Sequence, residues 1–524
     1  MKKIVWFTLL VFALVAAACA SAPTPAPKPS APPTTAPAPT VRPTAKPTAP
    51  PPPTATAAPT QAPVAFNETA AEEEGYWYSR YNLGNLVMRS GLGVPFKPDA
   101  ATVQAMVKAA DANPADGDTA APAKGVTLLQ AVYAAGDPHY TQKLVPPDFS
   151  TQRWNPDTFD ATVTTRAMGW TITKESEWAK QFHVDDHFGT ANDNFGAQWR
   201  FVGMIMNASA KMQSLYALKN LKNADGLFVN SDGTLDYTGN WVMLEALSDV
   251  GGTLQAKTLP HSATNRYYNP EQAKMFLGAA DALFEALAQR QPANIEETSL
   301  AIQALTWYAA HTANADHRKA AVGRITSLGK ALAAEKRTNA TEQAWAIRGL
   351  IEAYRVTGDD AFVKAAADAF AALAADYDAA HGIFNSQHAY TIDHVAVIMG
   401  ALNSLRYYAG DAVDQKTVSN IFTHFFLNVV NKSGLQQSVP PIPVAKGKFE
   451  QSEPPIFYGY PTIPKPPMAG GPFGIAPVFA TEVTFTDGHW SVTDGRFNTA
   501  GAMHAANEFI WFHNDEVNGF PELP

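Results

Sequence analysis

Two histidines and two aspartates fall between His183 and His187, inside the stretch FHVDDHFG. Imidazole nitrogen and carboxylate oxygen are ligands suited to zinc, manganese or iron. Alternate residues of an extended segment turn His183, Asp185 and His187 to one side, which makes them metal-ligand candidates. Asp185 and Asp186 are equally candidates for a catalytic acid or base. Toward the other end, His504 and Glu508 stand four apart on one helix face, with His513 beyond, and would extend the metal set if that helix met the first loop. A solvated loop and a surface pair account for the same residues without any metal.

The second constellation runs from Asn385 to His394, NSQHAYTIDH. A histidine transfers protons near neutral pH and an adjacent aspartate can orient it, so Asp393 and His394 are catalytic candidates. Asn385, His388 and Tyr390 are ligand-binding candidates beside them. Trp241 joins this set because it stands at a helix start and sugars stack on indole rings; most other tryptophans read as packing. The bland alternative for His394 is a buried imidazole satisfied by the backbone.

These residues need a scaffold, and the chain between Asn269 and about Val430 reads as helix after helix. Two stretches repeat at an offset of 45 residues: Leu283 and Leu287 match Leu328 and Leu332, and Glu297, Ala301, Ile302 and Leu305 match Glu342, Ala346, Ile347 and Leu350. A repeat of that length marks a duplicated unit. Each unit pairs an amphipathic helix (Phe362, Ala366, Phe370, Leu373, Tyr377) with one that is apolar nearly all round, as in SLAIQALTWYAA and QAWAIRGLIEAY. One-sided and all-round helices in alternation predict an outer and an inner ring. Glu297 and Glu342 each lie three residues after an asparagine, the spacing of a helix-capping box, which is their expected role. A third copy, offset by 52, places Thr391 and His394 at the same two positions.

The pattern over roughly 195–430 resembles the six-hairpin α/α-toroid superfamily, which includes glycosidases, polysaccharide lyases and sugar epimerases. The resemblance implies an all-α toroid and a carbohydrate-active or glycan-binding function. The expected layout is a loop-rich leading part at 65–194 with short helices, helical hairpins at 195–432, and a Pro- and aromatic-rich wrap at 433–524. That wrap carries a small β-hairpin around Thr486-Asp487-Gly488 and a closing helix from about Thr499.

The N-terminus sets the location. Lys2 and Lys3 precede an apolar run of about fifteen residues, the form of an export signal. Ala16-Ala17-Ala18-Cys19 resembles the lipobox of bacterial lipoproteins, which implies cleavage after residue 18 and a lipid on Cys19, and so a membrane partner at the extracytoplasmic face of the cell envelope. Residues 19–64, rich in Pro, Ala and Thr, cannot bury a core and read as a tether able to span on the order of 100 Å. Cys19 is the one cysteine in the chain. Its use for lipid excludes disulfides, c-type haem attachment and iron–sulfur clusters, so any divalent metal must be held by His, Asp or Glu.

The chain has 39 Lys and Arg against 48 Asp and Glu. Five of those cations (Lys2, Lys3, Lys28, Arg42, Lys46) and none of the acids precede the folded region. Its acidic excess repels phosphate backbones, so nucleic acid is not an expected partner. Two readings stand beside the glycan one: a non-enzymatic binding or accessory lipoprotein of a membrane complex, and a His/Asp/Glu metalloprotein.

Overall fold

The computed structural model describes residues 66–111, 128–138, 154, 156–183, 196–259, 262–436 and 478–510. These contain thirteen α-helices: α1 Glu68–Asn85, α2 Ala100–Ala110, α3 Thr165–His183, α4 Gly196–Asn220, α5 Tyr237–Gln255, α6 Pro270–Leu287, α7 Ile295–His311, α8 Ala315–Ala334, α9 Ala340–Thr357, α10 Asp360–Asp376, α11 Ile392–Tyr408, α12 Gln415–Phe425 and α13 Thr499–Glu508.

The odd-numbered helices from α3 onward form a closed inner ring. α3 packs on α5, α5 on α7, α7 on α9, α9 on α11, α11 on α13, and α13 returns to α3. The outer ring follows the chain: α4 covers α3, α6 covers α5, α8 lies against α7 and α9, α10 covers α9, α12 covers α11, and α1 lies against α13 and α12. The described residues therefore form an all-α toroid of six inner and six outer helices. Burial follows from the patterns. In α6, Ala273, Phe276, Leu277, Ala280, Leu283, Phe284 and Leu287 are buried along one stripe, whereas α7 buries nearly every residue from Ile295 to Ala309.

The leading part differs from its expected loop-rich form. Residues 165–183 are one unbroken inner helix and 68–85 an outer one. In α3 the residues Trp170, Ile172 and Trp178 alternate with Lys174, Glu175 and Lys180, and all are buried. Such a helix has no polar outside face, so the usual apolar stripe is absent from its sequence.

The hairpin of the trailing part forms as expected. β2 (Glu482–Thr486) pairs with β3 (His489–Asp494) across Asp487 and Gly488, both at positive φ of 53° and 79°, the backbone that an Asp-Gly turn supplies. A further strand, β1 (Ala389–Thr391), pairs with β2 and leads straight into α11, which fixes the start of that helix. The closing helix α13 starts at Thr499 and completes the inner ring.

Candidate functional site

The inner helices begin alike. Thr164, Asn294, Asn339, Thr391 and Asn498 each accept, through the side chain, the N–H of the third residue of α3, α7, α9, α11 and α13. Asp236 holds the corresponding place before α5. The second residue of each helix is then fixed in register: Arg166, Thr238, Glu296, Thr341, Asp393 and Ala500, taken around the ring from α3 to α13. Long charged groups alternate with short ones. Six helices around one axis leave room for about three long side chains in a layer, much as alternate strands fill the layers of a β-barrel.

The three long groups meet at this mouth. Arg166 Nη2 lies 2.6 Å from Glu296 Oε1 and 3.2 Å from Asp393 Oδ2, and also donates to Asp393 Oδ1 at 3.3 Å. The two carboxylates share one nitrogen, so their nearest oxygens are no further apart than those two ion-pair legs laid end to end. The side chains keep 19, 30 and 27 % of their surface in solvent for Arg166, Glu296 and Asp393. Burial pushes the Asp393 carboxyl up, but Arg166 and then His504 outweigh it and hold the group well below the usual carboxylate range. Burial likewise disfavours the Arg166 cation, and Asp393, Glu296 and Asp236 together reverse that effect and hold its pKa above the usual value.

One turn deeper lies His504. Its Nδ1 is 2.8 Å from Asp393 Oδ1, and its ring is stacked between Trp170 (4.6 Å, 10°) and Trp345 (5.3 Å, 12°). The layer below takes its long groups from the other three helices: Glu245 of α5, Arg348 of α9 and Glu508 of α13. Arg348 bridges Glu508 at 3.1 Å and Glu352 at 2.9 Å, all of them buried. α11 contributes Gly400 there, where an added Cβ would stand 1.9 Å from Glu508 Oε2. Burial pushes the Glu245 carboxyl up to about 8 despite nearby Arg348. Also buried are the ion pair Lys180 and Asp249 at 2.6 Å and His311, whose pKa burial lowers to about 4 and which is therefore neutral near pH 7.

The sequence candidates fall out as follows. Glu297 and Glu342 are capping groups: Glu297 Oε2 accepts from Ala293 N at 2.8 Å and the carboxylate is clasped by Arg290, while Glu342 Oε2 accepts from Thr338 N at 2.6 Å. His394 closes a reciprocal capping box with Thr391 at the start of α11. Its neighbour Asp393 reaches the mouth. Trp241 and Tyr390 are packing groups, not lining groups: both have 0 % of their surface exposed, Trp241 against Glu297 and Tyr390 with its hydroxyl accepting from Phe384 N. Asn385 donates to the Asp376 carbonyl, and His388 is an exposed residue just before β1 whose carbonyl accepts from Phe485 N.

Among the described metal candidates, His504 and Glu508 are neighbours and His183 is not brought to them. His183 ends α3, where its Nε2 accepts from Arg266 N at 2.8 Å. His504 stacks on Trp170 of the same helix, about 20 Å of helix away from His183. Glu508 is committed to Arg348. Asp185, Asp186, His187 and His513 lie outside the described residues. Among the described residues no group of three or more His, Cys, Asp or Glu could hold a metal ion.

Sequence reasoning missed Arg166 and Glu296, and named His504 only as a metal-ligand candidate. Glu296 had a signal, since it precedes the repeated cap partner Glu297 as Asp393 precedes His394. Arg166 had none, and His504 only its spacing to Glu508, because α3 and α13 stand outside the repeat.

No family model matches the chain, and no curated protein matches it. Among solved structures, an endoglucanase from the termite Nasutitermes takasagoensis superposes with a TM-score of 0.43 at 12 % identity, over 84 % of this chain and 98 % of that one. The toroid described above rests on its own closed ring of helices and not on that likeness.

Proposed function

We propose that this protein is a tethered extracytoplasmic toroid whose mouth binds a glycan without cleaving it. One observation carries the reading: Arg166, Glu296 and Asp393 converge from alternate inner helices, partly exposed, above an axis filled by buried side chains. Ionised carboxylates accept hydroxyl hydrogens, and sugars present hydroxyls at high density. Asp393, held ionised by Arg166 and His504, is such an acceptor. The test is a panel of neutral and charged oligosaccharides presented to the full-length chain, with reducing ends assayed in parallel. Binding without new reducing ends supports the reading, and no binding to any glycan contradicts it.

A hydrolase is the second reading, and the shared Arg166 nitrogen favours it. That sharing keeps the carboxylates within a span compatible with the roughly 5 Å separation of retaining glycosidases. Release of reducing ends, abolished in Glu296→Gln, would establish it.

We further propose that Cys19 carries lipid and anchors the domain through the 19–64 tether, supported by the lysines, apolar run and single cysteine of the N-terminus. Cys19→Ala is expected to move the protein from the membrane fraction to the soluble one; unchanged fractionation would remove the lipid from the account.

A further inference from the structure

We propose that His504 is the positioning residue of the mouth, fixing the Asp393 carboxylate for a ligand that His504 itself never touches. The inference rests on the glycan reading of that mouth. His504 has 0 % of its surface exposed and lies one turn below the charged layer, so it is out of a ligand's reach. Its stacking partners leave it little freedom. Near-parallel indoles lie on both faces, Trp170 at 4.6 Å and Trp345 at 5.3 Å, so the ring cannot tilt out of the plane that aims Nδ1 at Asp393 Oδ1, 2.8 Å away.

Asp393 is thereby held from two directions. Its Oδ1 takes His504 Nδ1 and Arg166 Nη2, and its Oδ2 takes Arg166 Nη2. An ionised carboxylate offers about four lone-pair sites. With His504 and Arg166 engaged, the remaining capacity is turned to the part of the side chain that stays in solvent. The acceptor geometry offered to a hydroxyl is then set before any ligand arrives, which reduces what binding must spend on ordering.

Packing alone does not explain a histidine here. The slot between two indoles suits an apolar ring, and His504 Nε2 is a buried polar atom with no hydrogen-bond partner among the described residues, lying 3.9 Å from Glu508 Oε1. A buried polar atom left in that condition disfavours the fold, and an apolar replacement would remove the penalty. The residue costs stability through Nε2 and returns one thing, the Nδ1 contact with Asp393.

The experiment compares three full-length chains: wild type, His504→Phe, which fills the slot without a donor, and His504→Asn, whose shorter amide can donate in place of Nδ1. Binding of chitotetraose and cellotetraose is measured by calorimetry, unfolding by thermal melts, and the imidazole N–H by proton NMR. In wild type a strongly hydrogen-bonded imidazole proton is expected, and it disappears in Asp393→Asn. His504→Phe is expected to melt at or above the wild-type temperature while binding falls about tenfold or more, with His504→Asn recovering part of that loss.

A His504→Phe chain that melts well below wild type, with His504→Asn no better in binding, would overturn the proposal and leave His504 a structural residue. So would an Asp393→Asn chain that keeps the downfield proton. If wild type binds neither probe, the glycan reading loses support, but the melting order and the NMR signature still decide the role of His504.

Discussion

Arg166 Nη2 bridges Glu296 and Asp393, and its removal leaves two carboxylates facing each other across the mouth. Breaking a fully buried pair costs about 3–5 kcal/mol. These groups keep a fifth to a third of their surface in water, which screens them, so Arg166→Gln is expected to cost about 1–3 kcal/mol in a urea melt. The double variant Arg166→Gln with Glu296→Gln should lose less than the two single changes added together, because the second removes the repulsion exposed by the first. Strict additivity would mean that the guanidinium and Glu296 do not interact. The pairing of Glu297 with a cap was readable from its spacing to Asn294. The only signal for Glu296 was its place beside that cap partner, since one residue of helical rotation separates a capping group from an axial one.

At the scale of elements, two adjoining layers take their long side chains from opposite sets of helices, and the positions between must stay small. Gly400 shows the requirement. A Cβ there would fall 1.9 Å from Glu508 Oε2 and 2.6 Å from Glu508 Cδ, and that carboxylate cannot swing away without leaving Arg348. Gly400→Ala is expected to destabilise by about 1–3 kcal/mol, the usual cost of overpacking. Removing the Arg348 partner as well should make the Ala substitution cheaper, and an equal cost in a Glu508→Ala background would contradict the layer picture. Asn339→Ala, which strips one inner-helix cap, should cost about 1 kcal/mol. The helices carrying the repeat, α7 to α11, were legible because each has a one-sided or all-round apolar pattern with a cap at its start. α3 was not: its polar residues are buried among its neighbours, and no sequence period distinguishes a buried polar helix from a loop.

At the scale of the molecule, the toroid buries ionisable groups along its axis, and the fold should register their titration. Glu245 sits among Arg348, Glu508, Asp249 and Glu352, and burial raises its carboxyl from 4.5 to about 8. The folded chain therefore keeps a proton on this residue that the unfolded chain releases. Stability falls as pH rises from about 4.5 to about 8 and levels off above that window. Glu245→Gln removes this contribution, so the stability difference between variant and wild type should grow in the variant's favour across the same window. A difference that does not change with pH would mean that Glu245 is ionised in the folded protein. Asp393 acts in the opposite sense: it is held low in the folded state, so its contribution is present above the usual carboxylate range and fades as pH falls.

The measurement that tests the central claim most directly is calorimetric titration of the full-length chain with an oligosaccharide identified from the panel, beside Glu296→Gln and the outer-helix variant Asp368→Asn. Glu296 belongs to the mouth, and Asp368 pairs with Lys364 on the exposed face of α10. If the mouth is the binding site, Glu296→Gln weakens binding about tenfold or more and Asp368→Asn leaves it unchanged. Equal affinity in wild type and Glu296→Gln would place the ligand elsewhere on the protein and contradict the account.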